Sequence, residues 1–218
     1  MATSFGRRLF IGASVVVASG LASSTQAQIG SGWTRFYPSS FIDFQCGGTH
    51  IHKSLANSIR VQGGGYTYDP NTGIETFRLY DNSCNRVERR HDEHYTSGKR
   101  QMEGDVKISS ISSQSVHQVF HGSSGPYIMV KGYTSNGGEL RKLSGSVVLA
   151  SGINGVFRRY NFLHQVGSYT RIYINGVQKY SGGGAAQDGS GNNNKYGLYG
   201  TKVTDAPSVQ WKWVKHFR

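Results

Sequence analysis

Short runs in which apolar and polar residues alternate recur along most of the chain, and clusters of Gly, Asn and Ser separate them. Alternation with a period of two is typical of a β-strand that buries one face, whereas helical periodicity is almost absent. The clearest runs lie at residues 76–80, 86–90, 101–109, 115–120, 127–133, 146–150, 157–166, 171–174, 195–199 and 209–217. About ten short strands in one unit predict an all-β fold, in which two antiparallel sheets stack as a β-sandwich.

Three segments give sharper local predictions. Asn175 and Gly176 stand between two alternating runs and predict a tight hairpin, because both turn positions require positive φ. Alternation along residues 209–217 predicts a strand with one apolar and one polar face. The face expected in the core carries Val209, Trp211, Trp213 and Phe217, and the face expected in solvent carries Lys212 and His216. Residues 181–194 contain few apolar side chains and predict a mobile loop.

The N-terminal segment has the layout of a secretory signal peptide. Arg7 and Arg8 precede an apolar run at residues 9–22, and small and polar residues continue to Ala27. Gly and Ser interrupt the apolar run, which is short for a bilayer, and this favours a cleaved leader over a membrane anchor. We therefore divide the chain into a signal peptide, residues 1–27, and one secreted domain, residues 28–218, which is long enough to form a hydrophobic core.

Cys46 and Cys84 are the two cysteines of the chain. In an exported protein an even pair predicts a disulfide rather than free thiols. Neither residue has a neighbouring Cys at the spacing of metal ligands. The sequence thus predicts a Cys46–Cys84 disulfide and no zinc site.

The chain is strongly basic, with 24 Lys and Arg against 12 Asp and Glu and a net charge of +12. Loss of Arg7 and Arg8 with the leader lowers the net charge to +10. A secreted protein with this charge is expected to meet a polyanion, although charge alone also fits simple solubility. The charge alone does not distinguish an acidic polysaccharide from a nucleic acid or an anionic surface, but the chain has no nucleic-acid-binding motif and no second apolar span. We expect no nucleic-acid or membrane partner, and a monomer.

Residues 86–90 contain the first group of residues that could form a functional site. Side chains alternate along a strand, so Arg86, Glu88 and Arg90 fall on one face. Two guanidinium groups with a carboxylate between them suit bidentate recognition of a ligand carboxylate. The alternative is an exposed strand face stabilised by ion pairs, and spacing alone favours that alternative.

Two later strands carry further polar groups. Gln118 shares a face with Val116 and Phe120, so its amide is either satisfied in the core or in contact with a ligand in a groove. One face of the later strand is shared by Asn193, Lys195, Gly197 and Tyr199. Gly197 should leave room above the sheet for a ligand, and nearby positive charge makes Tyr199 a better general base and acid. The alternative is an ordinary strand with Lys and Tyr on its surface.

Taken in order, Arg-x-Glu-x-Arg, a Gln-centred strand and Lys-x-Gly-x-Tyr resemble the groove motifs of the alginate lyase superfamily, the jelly-roll polysaccharide lyases. Residues 95–104, 116–120 and 195–200 are similar to the glucuronan-lyase and alginate-lyase-like branch. The resemblance covers residues 76–218 and rests on the order and spacing of the motifs. It implies a concanavalin A-like β-jelly roll of two antiparallel sheets with a concave binding groove.

The resemblance also implies a role for each groove residue. The implied catalytic residues are Arg86, Gln118 and Tyr199, and the implied substrate-binding residues are Glu88, Arg90, Lys131, Asn193 and Lys195. Arg and Gln donors would neutralise a uronate carboxylate, which acidifies the proton on the adjacent ring carbon, and Tyr199 would handle protons. A β-elimination of this kind needs no metal and no cofactor, so none is predicted.

The chain departs from the family pattern at two positions. Phe120 stands where the family usually has His, and Asn193 stands where it usually has Tyr. The candidates to replace the missing base are His91, His94, His117 and His121, of which His117 should point away from Gln118. The sequence therefore predicts a secreted lyase that cleaves a polyuronate of the glucuronan or alginate type. The alternative is a non-catalytic carbohydrate-binding β-sandwich that recognises acidic glycans.

Overall fold

The computed structural model describes residues 29–123, 125–143, 147–201 and 206–218, so the predicted signal peptide, residues 1–27, lies outside the described residues. The strands are β1 Arg35–Phe36, β2 Ser40–Cys46, β3 Thr49–Lys53, β4 Ser58–Val61, β5 Gly64–Asp69, β6 Ile74–Leu79, β7 Cys84–His91, β8 Lys99–Ser109, β9 Ser115–His121, β10 Pro126–Tyr133, β11 Glu139–Lys142, β12 Val148–Ser151, β13 Arg158–Gln165, β14 Tyr169–Ile174, β15 Val177–Gly183, β16 Asn192–Tyr199 and β17 Ser208–Phe217. Within the described residues, the one helical segment is a 3-10 turn at Ser135–Gly137, and no helix there has the length and hydropathy to cross a membrane.

The strands form two antiparallel sheets, which confirms the predicted all-β sandwich. The first sheet has the order β15-β14-β13-β8-β17-β6-β5-β4, with β1 paired to β17. The second sheet has the order β12-β11-β10-β9-β16-β7-β2-β3. In this second sheet the late strand β16 lies between β7 and β9, so the connections bring three distant segments of sequence side by side.

The core lies between the sheets and is rich in aromatic side chains. Trp211 and Tyr160 from the first sheet and Phe44 and Tyr196 from the second are fully buried. The rings of Tyr196 and Trp211 are 5.6 Å apart, so they connect the two sheets directly. Burial of each large side chain contributes roughly 1.5–3 kcal/mol of stabilisation, and the edge-on ring pairs add to it.

Two local predictions are confirmed. The Cys46–Cys84 disulfide forms and joins β2 to β7 where their pairing ends. The hairpin between β14 and β15 turns through Asn175 and Gly176, whose φ angles are 50° and 77°. Both features fix strand register, the first by a covalent bond and the second by the positive-φ turn.

The closing strand β17 departs from simple alternation. It pairs with β8 up to Lys212 and again from Lys215, and the register shifts between these two residues. Trp213 lies in this bulge with a φ of 55° and is 49% exposed, so the prediction that it packs in the core is wrong. Beyond the bulge the alternation is out of phase, and His216, which was predicted to face solvent, is buried.

Some strands lie outside the predicted runs. β1 to β5 precede the first predicted strand, and β2 pairs with β7 in the second sheet. The loop predicted at residues 181–194 is shorter than expected, because β15 continues to Gly183 and β16 begins at Asn192. Gly-rich sequence in this part of the chain therefore still pairs as a strand.

Gly197 lies at an irregularity in β16, where the register with β9 shifts between Tyr196 and Tyr199. Its φ of 140° is a conformation that residues with a Cβ rarely adopt. A Cβ at this position would lie 2.5 Å from the carbonyl oxygen of Val87 and 2.7 Å from the Cα of Glu88. The missing side chain thus faces the neighbouring strand, and the prediction that Gly197 opens space above the sheet is wrong.

Substitution of Gly197 by Ala should lower the free energy of unfolding by about 2–4 kcal/mol, because it adds both backbone strain and a steric clash. Urea denaturation followed by circular dichroism measures the change. The matched control is Gly183→Ala in β15, where a Cβ would meet nothing within 4 Å. The control should change the stability by about 0.5 kcal/mol or less. Equal stability of Gly197→Ala and the unsubstituted protein would contradict this account of the bulge.

Candidate active site

The predicted site residues lie together on the outer face of the second sheet. Val87 and Val119 point into the core, so the residues on either side of them point outward. Because β9, β16, β7 and β2 are adjacent in that order, the three sequence motifs meet on neighbouring strands. We call this surface the groove face, and its central residues are Phe41, Asp43, Arg86, Glu88, Arg90, Gln118, Phe120, Lys195 and Tyr199.

Arg86 is held between two carboxylates. Its Nη1 donates to Oδ2 of Asp43 at 3.2 Å, and its Nε lies 3.3 Å from Oε2 of Glu88. Asp43 and Glu88 are fully buried and Arg86 is 6% exposed. Buried charges are stable only when they are paired, so these contacts fix the guanidinium in one orientation. Among the described residues nothing accepts a hydrogen bond from Nη2, which leaves that nitrogen for a ligand.

Tyr199 supports Arg86 from the adjacent strand. The two residues are paired in register across β16 and β7, and the guanidinium carbon lies 4.4 Å from the centre of the tyrosine ring. A cation over an aromatic face contributes about 0.5–2 kcal/mol, depending on how far the pair is desolvated. The Tyr199 hydroxyl has no hydrogen-bond partner within the described ranges. It is therefore a half-buried proton donor or acceptor beside the buried guanidinium.

The side-chain amide of Gln118 is hydrogen-bonded to Glu88. Its Nε2 donates to both carboxylate oxygens of Glu88, at 2.6 and 2.9 Å, while its Oε1 is buried and has no partner within the described residues. Burial raises the pKa of Glu88, whereas the positive charges of Arg86 and Lys195 oppose the rise. Gln118 was predicted to donate to a substrate carboxylate, but its nitrogen is engaged by Glu88, and its buried oxygen can only accept a hydrogen bond.

Arg90 and Lys195 place two positive charges directly opposite each other in the register of β7 and β16. Lys195 is only 3% exposed, and its Nζ lies 3.9 Å from the centre of the Phe120 ring. Burial lowers the pKa of Lys195 to about 8, an effect that Glu88 opposes and Arg90 reinforces. Arg90 forms no salt bridge with any described residue. Like charges facing each other are unfavourable, so an anion bound between them would be stabilised.

Lys131 extends the positive charge along the sheet. It lies on β10 in one cross-strand row with Ser115, Tyr199 and Arg86. Its neighbour Val130 is buried in the core, so Lys131 points outward. Three strand spacings separate Lys131 from Arg86, a distance of about 14 Å. Lys131 is therefore placed to meet a neighbouring sugar rather than the anion at Arg86.

Asn193 was expected to contact the substrate, but its amide is engaged in the protein. The residue is 2% exposed, and its Nδ2 donates to the backbone carbonyls of His91 and Glu93. These bonds fix the end of β7 against the start of β16. Asn193 therefore positions the strands that carry Arg90 and Lys195, and only its unpartnered Oδ1 could accept a further hydrogen bond.

No protein-family model and no curated protein sequence match the chain. Solved structures match it over 81% of its length. Alginate lyase PA1167 from Pseudomonas aeruginosa is 14% identical, with a TM-score of 0.64 over 96% of its own chain. Alginate lyase AlgAT5 from polysaccharide lyase family 7 is 16% identical, with a TM-score of 0.61 over 94% of its chain. The chain has the jelly-roll fold of the alginate lyases.

A further structure with the alginate-lyase fold was determined with a ligand. Alginate lyase AlyC3 in complex with dimannuronate is 11% identical to the chain, with a TM-score of 0.62 over 88% of its own length. These structures confirm the predicted jelly roll and, for the fold, the resemblance to the alginate lyase superfamily. At such low identity the agreement concerns the path of the backbone and shows the fold alone.

His117 and His91 lie inside this alginate-lyase fold. His117 bonds to the hydroxyl of Tyr160 at 2.9 Å, and burial lowers its pKa to about 3. His91 packs with its ring centre 4.2 Å from that of His216, and burial lowers its pKa well below the ordinary value. The prediction that His117 points away from Gln118 is confirmed. His91, a candidate to replace the missing base, packs between the sheets against Tyr196 and His216 and does not lie on the groove face.

The other two candidate histidines lie near the start of β16. His94 is exposed and packs beside Gly191, which immediately precedes that strand. His121 is half-buried, and its ring nitrogens lie 3.2 Å from oxygens of Asn192 and Asp188. Neither ring lies beside Gln118 on the groove face, so neither takes the place of the family's histidine at Phe120.

Three polar residues on the groove face were not predicted from the sequence. Oδ1 of Asp43 lies 2.8 Å from Nδ1 of His50 and 3.5 Å from Nε2 of His52. A signal was present, because Asp43 is a single acid among apolar residues and the two histidines alternate around Ile51. It was overlooked because β2 and β3 precede the part of the chain that carries the family resemblance.

Proposed function

We propose that the chain is a secreted polysaccharide lyase that cleaves an acidic polyuronate of the glucuronan or alginate type by β-elimination. The observation that carries the proposal is the pair of facing cations, Arg90 and Lys195, beside the fixed guanidinium of Arg86. Three cations on two adjacent strands, with only part of their charge balanced by Asp43 and Glu88, form a site for a carboxylate. A polyuronate presents one carboxylate on each sugar.

The first task of the site is to neutralise the uronate carboxylate. Nη2 of Arg86, the guanidinium of Arg90 and Nζ of Lys195 are the donors available for it. Because Asp43 and Glu88 already orient Arg86, its charge needs no rearrangement when the substrate arrives. Gln118 then acts as a positioning residue, because its amide holds Glu88, which in turn orients Arg86.

The second task is proton transfer. Once the carboxylate is neutralised, a base removes the proton from the ring carbon that bears the carboxylate. The released electron pair forms a double bond to the adjacent ring carbon, the glycosidic bond breaks, and the departing oxygen takes a proton. Tyr199 packs its ring on Arg86, and we assign both proton transfers to its oxygen. The phenolate takes the proton from the ring carbon, and the phenol so formed returns that proton to the departing oxygen.

Export is part of the same proposal. The layout of residues 1–27 favours secretion, and the Cys46–Cys84 disulfide is typical of proteins that fold in oxidising compartments. The basic surface suits a protein that meets an anionic polymer outside the cell. We propose that it acts as a monomer without metal or cofactor in the elimination step.

The second candidate function is a non-catalytic carbohydrate-binding protein with the same groove. One observation favours it, namely that Phe120 occupies the position of the family's histidine and its ring packs against Nζ of Lys195. A phenyl ring can support a cation or a sugar face but cannot transfer a proton. The two functions therefore share the carboxylate site and differ in whether Tyr199 is sufficient for proton transfer.

Lyase activity is tested by incubating the protein with glucuronan, alginate and pectate and following the ultraviolet absorbance of unsaturated uronates. We expect a rise with one polymer, and a loss of at least about a hundredfold in rate for Tyr199→Phe. The phenyl ring keeps the support for Arg86 and removes only the hydroxyl, so substrate binding should remain. Absence of any rise from a protein that still binds the polymers would overturn the lyase assignment and favour the binding protein.

The charge state of Lys195 predicts how binding depends on pH. Its pKa is about 8, so the ammonium is present below that pH and is lost as the pH rises through it. Affinity for polyuronate, measured in Tyr199→Phe protein to prevent cleavage, should fall by up to about tenfold per pH unit above this point. Lys195→Met should bind about tenfold more weakly at pH 7 and show no such fall.

The control for this experiment is Lys107→Met. Lys107 also lies over an aromatic ring, that of Phe157, at 4.7 Å, but it belongs to β8 in the other sheet. Its loss should leave both the affinity and the pH dependence unchanged. A pH profile that Lys195→Met does not alter would show that another group sets the dependence, and the carboxylate site would then not involve Lys195.

A further inference from the structure

The cluster formed by Asp43, His50 and His52 has the composition of a metal site. Asp43 on β2 is directly opposite His52 on β3, and His50 lies two residues before His52 on the same face. The three ligand atoms all lie within 4.8 Å of one another. In a tetrahedral zinc site with bonds of about 2.1 Å, ligand atoms are about 3.4 Å apart. The observed separations of 2.8 and 3.5 Å from Asp43 to the two rings lie on either side of that value.

The surroundings orient the ligand atoms. Arg86 occupies Oδ2 of Asp43, so Oδ1 is the oxygen turned toward the two imidazoles. The ring of His52 packs on Phe41 with the centres 4.5 Å apart, which fixes its orientation. This arrangement gives the carboxylate a partner on each oxygen, as is typical of ligands held by a second set of contacts.

Exposure leaves space for a further ligand. The side chains of His50 and His52 are 40% and 52% exposed, whereas Asp43 is fully buried. A cation bound to all three would therefore keep its outer side open to water or to another small ligand. Arg86, at 3.2 Å from Asp43, opposes the binding of a second positive charge. The site should consequently bind more weakly than a closed site of four ligands.

We propose that Asp43, His50 and His52 form a binding site for a divalent transition-metal cation of the zinc class. Two imidazole nitrogens and one carboxylate oxygen suit zinc and the later first-row metals, whereas calcium and magnesium prefer oxygen ligands alone. The inference goes beyond the proposed lyase function, because metal binding requires no glycan. It also differs from the sequence-based expectation that the chain holds no metal, since that expectation did not consider these residues.

The test is calorimetric titration of the tag-free, chelator-treated protein with zinc chloride, together with the visible spectrum after addition of cobalt(II). We expect one zinc ion per chain with micromolar affinity, and cobalt absorption bands of a four-coordinate site. His50→Ala and His52→Ala should each weaken zinc binding by at least about tenfold. Magnesium and calcium at the same concentrations should neither bind nor compete.

The control is His94→Ala, which removes an exposed histidine far from β3 in the sequence and should leave zinc binding unchanged. Circular dichroism of each variant verifies folding, which half-exposed histidines on the edge strand should not disturb. Absence of zinc binding, unaltered affinity in His50→Ala and His52→Ala, or an equal loss in His94→Ala would each overturn the proposal. None of these results depends on lyase activity, so failure of either proposal is recognised separately.

Discussion

The groove face depends on one electrostatic constraint, the burial of two carboxylates beside a single guanidinium. Asp43 and Glu88 are both fully buried, and Arg86 contacts one oxygen of each. A carboxylate taken out of water without a partner is strongly destabilising, and removal of one member of a buried pair typically costs about 3–5 kcal/mol. The three residues therefore fix one another, and with them the pairing of β2 with β7.

The other residues of the groove face are arranged around these three charged side chains. Gln118 donates its amide to Glu88 and so extends the network to β9, while Tyr199 supports the guanidinium from β16. Beyond the network, Arg90 and Lys195 form no salt bridge with any described residue, and Glu88 balances only part of the positive charge around it. The inner face of β7 is charged as well, since Arg89 pairs with buried Glu75 between the sheets at 2.8 Å. The charge on the inner face of β7 is therefore paired within the protein, whereas Arg90 on the outer face forms no salt bridge with a described residue and is left for a ligand.

The sequence predicted the sheets, the shared face of the three motifs and the disulfide, because each follows from alternation or from residue type. It did not predict the course of the chain where the backbone is irregular. The bulge in β17 exposes Trp213 and buries His216, and the shift in β16 requires Gly197, since alternation assumes an unbroken register. It also could not assign partners between distant strands. Asp43 is a site residue because β2 pairs with β7, which places its carboxylate beside Arg86.

The central claim is that the groove face binds a uronate carboxylate at the cations of β7 and β16. A crystal structure of Tyr199→Phe protein with a bound uronate oligosaccharide tests it most directly. The account predicts one carboxylate within about 3 Å of Nη2 of Arg86 and of Nζ of Lys195. An oligosaccharide bound to another surface, or lying on the groove face with its carboxylates turned away from these nitrogens, would contradict the account.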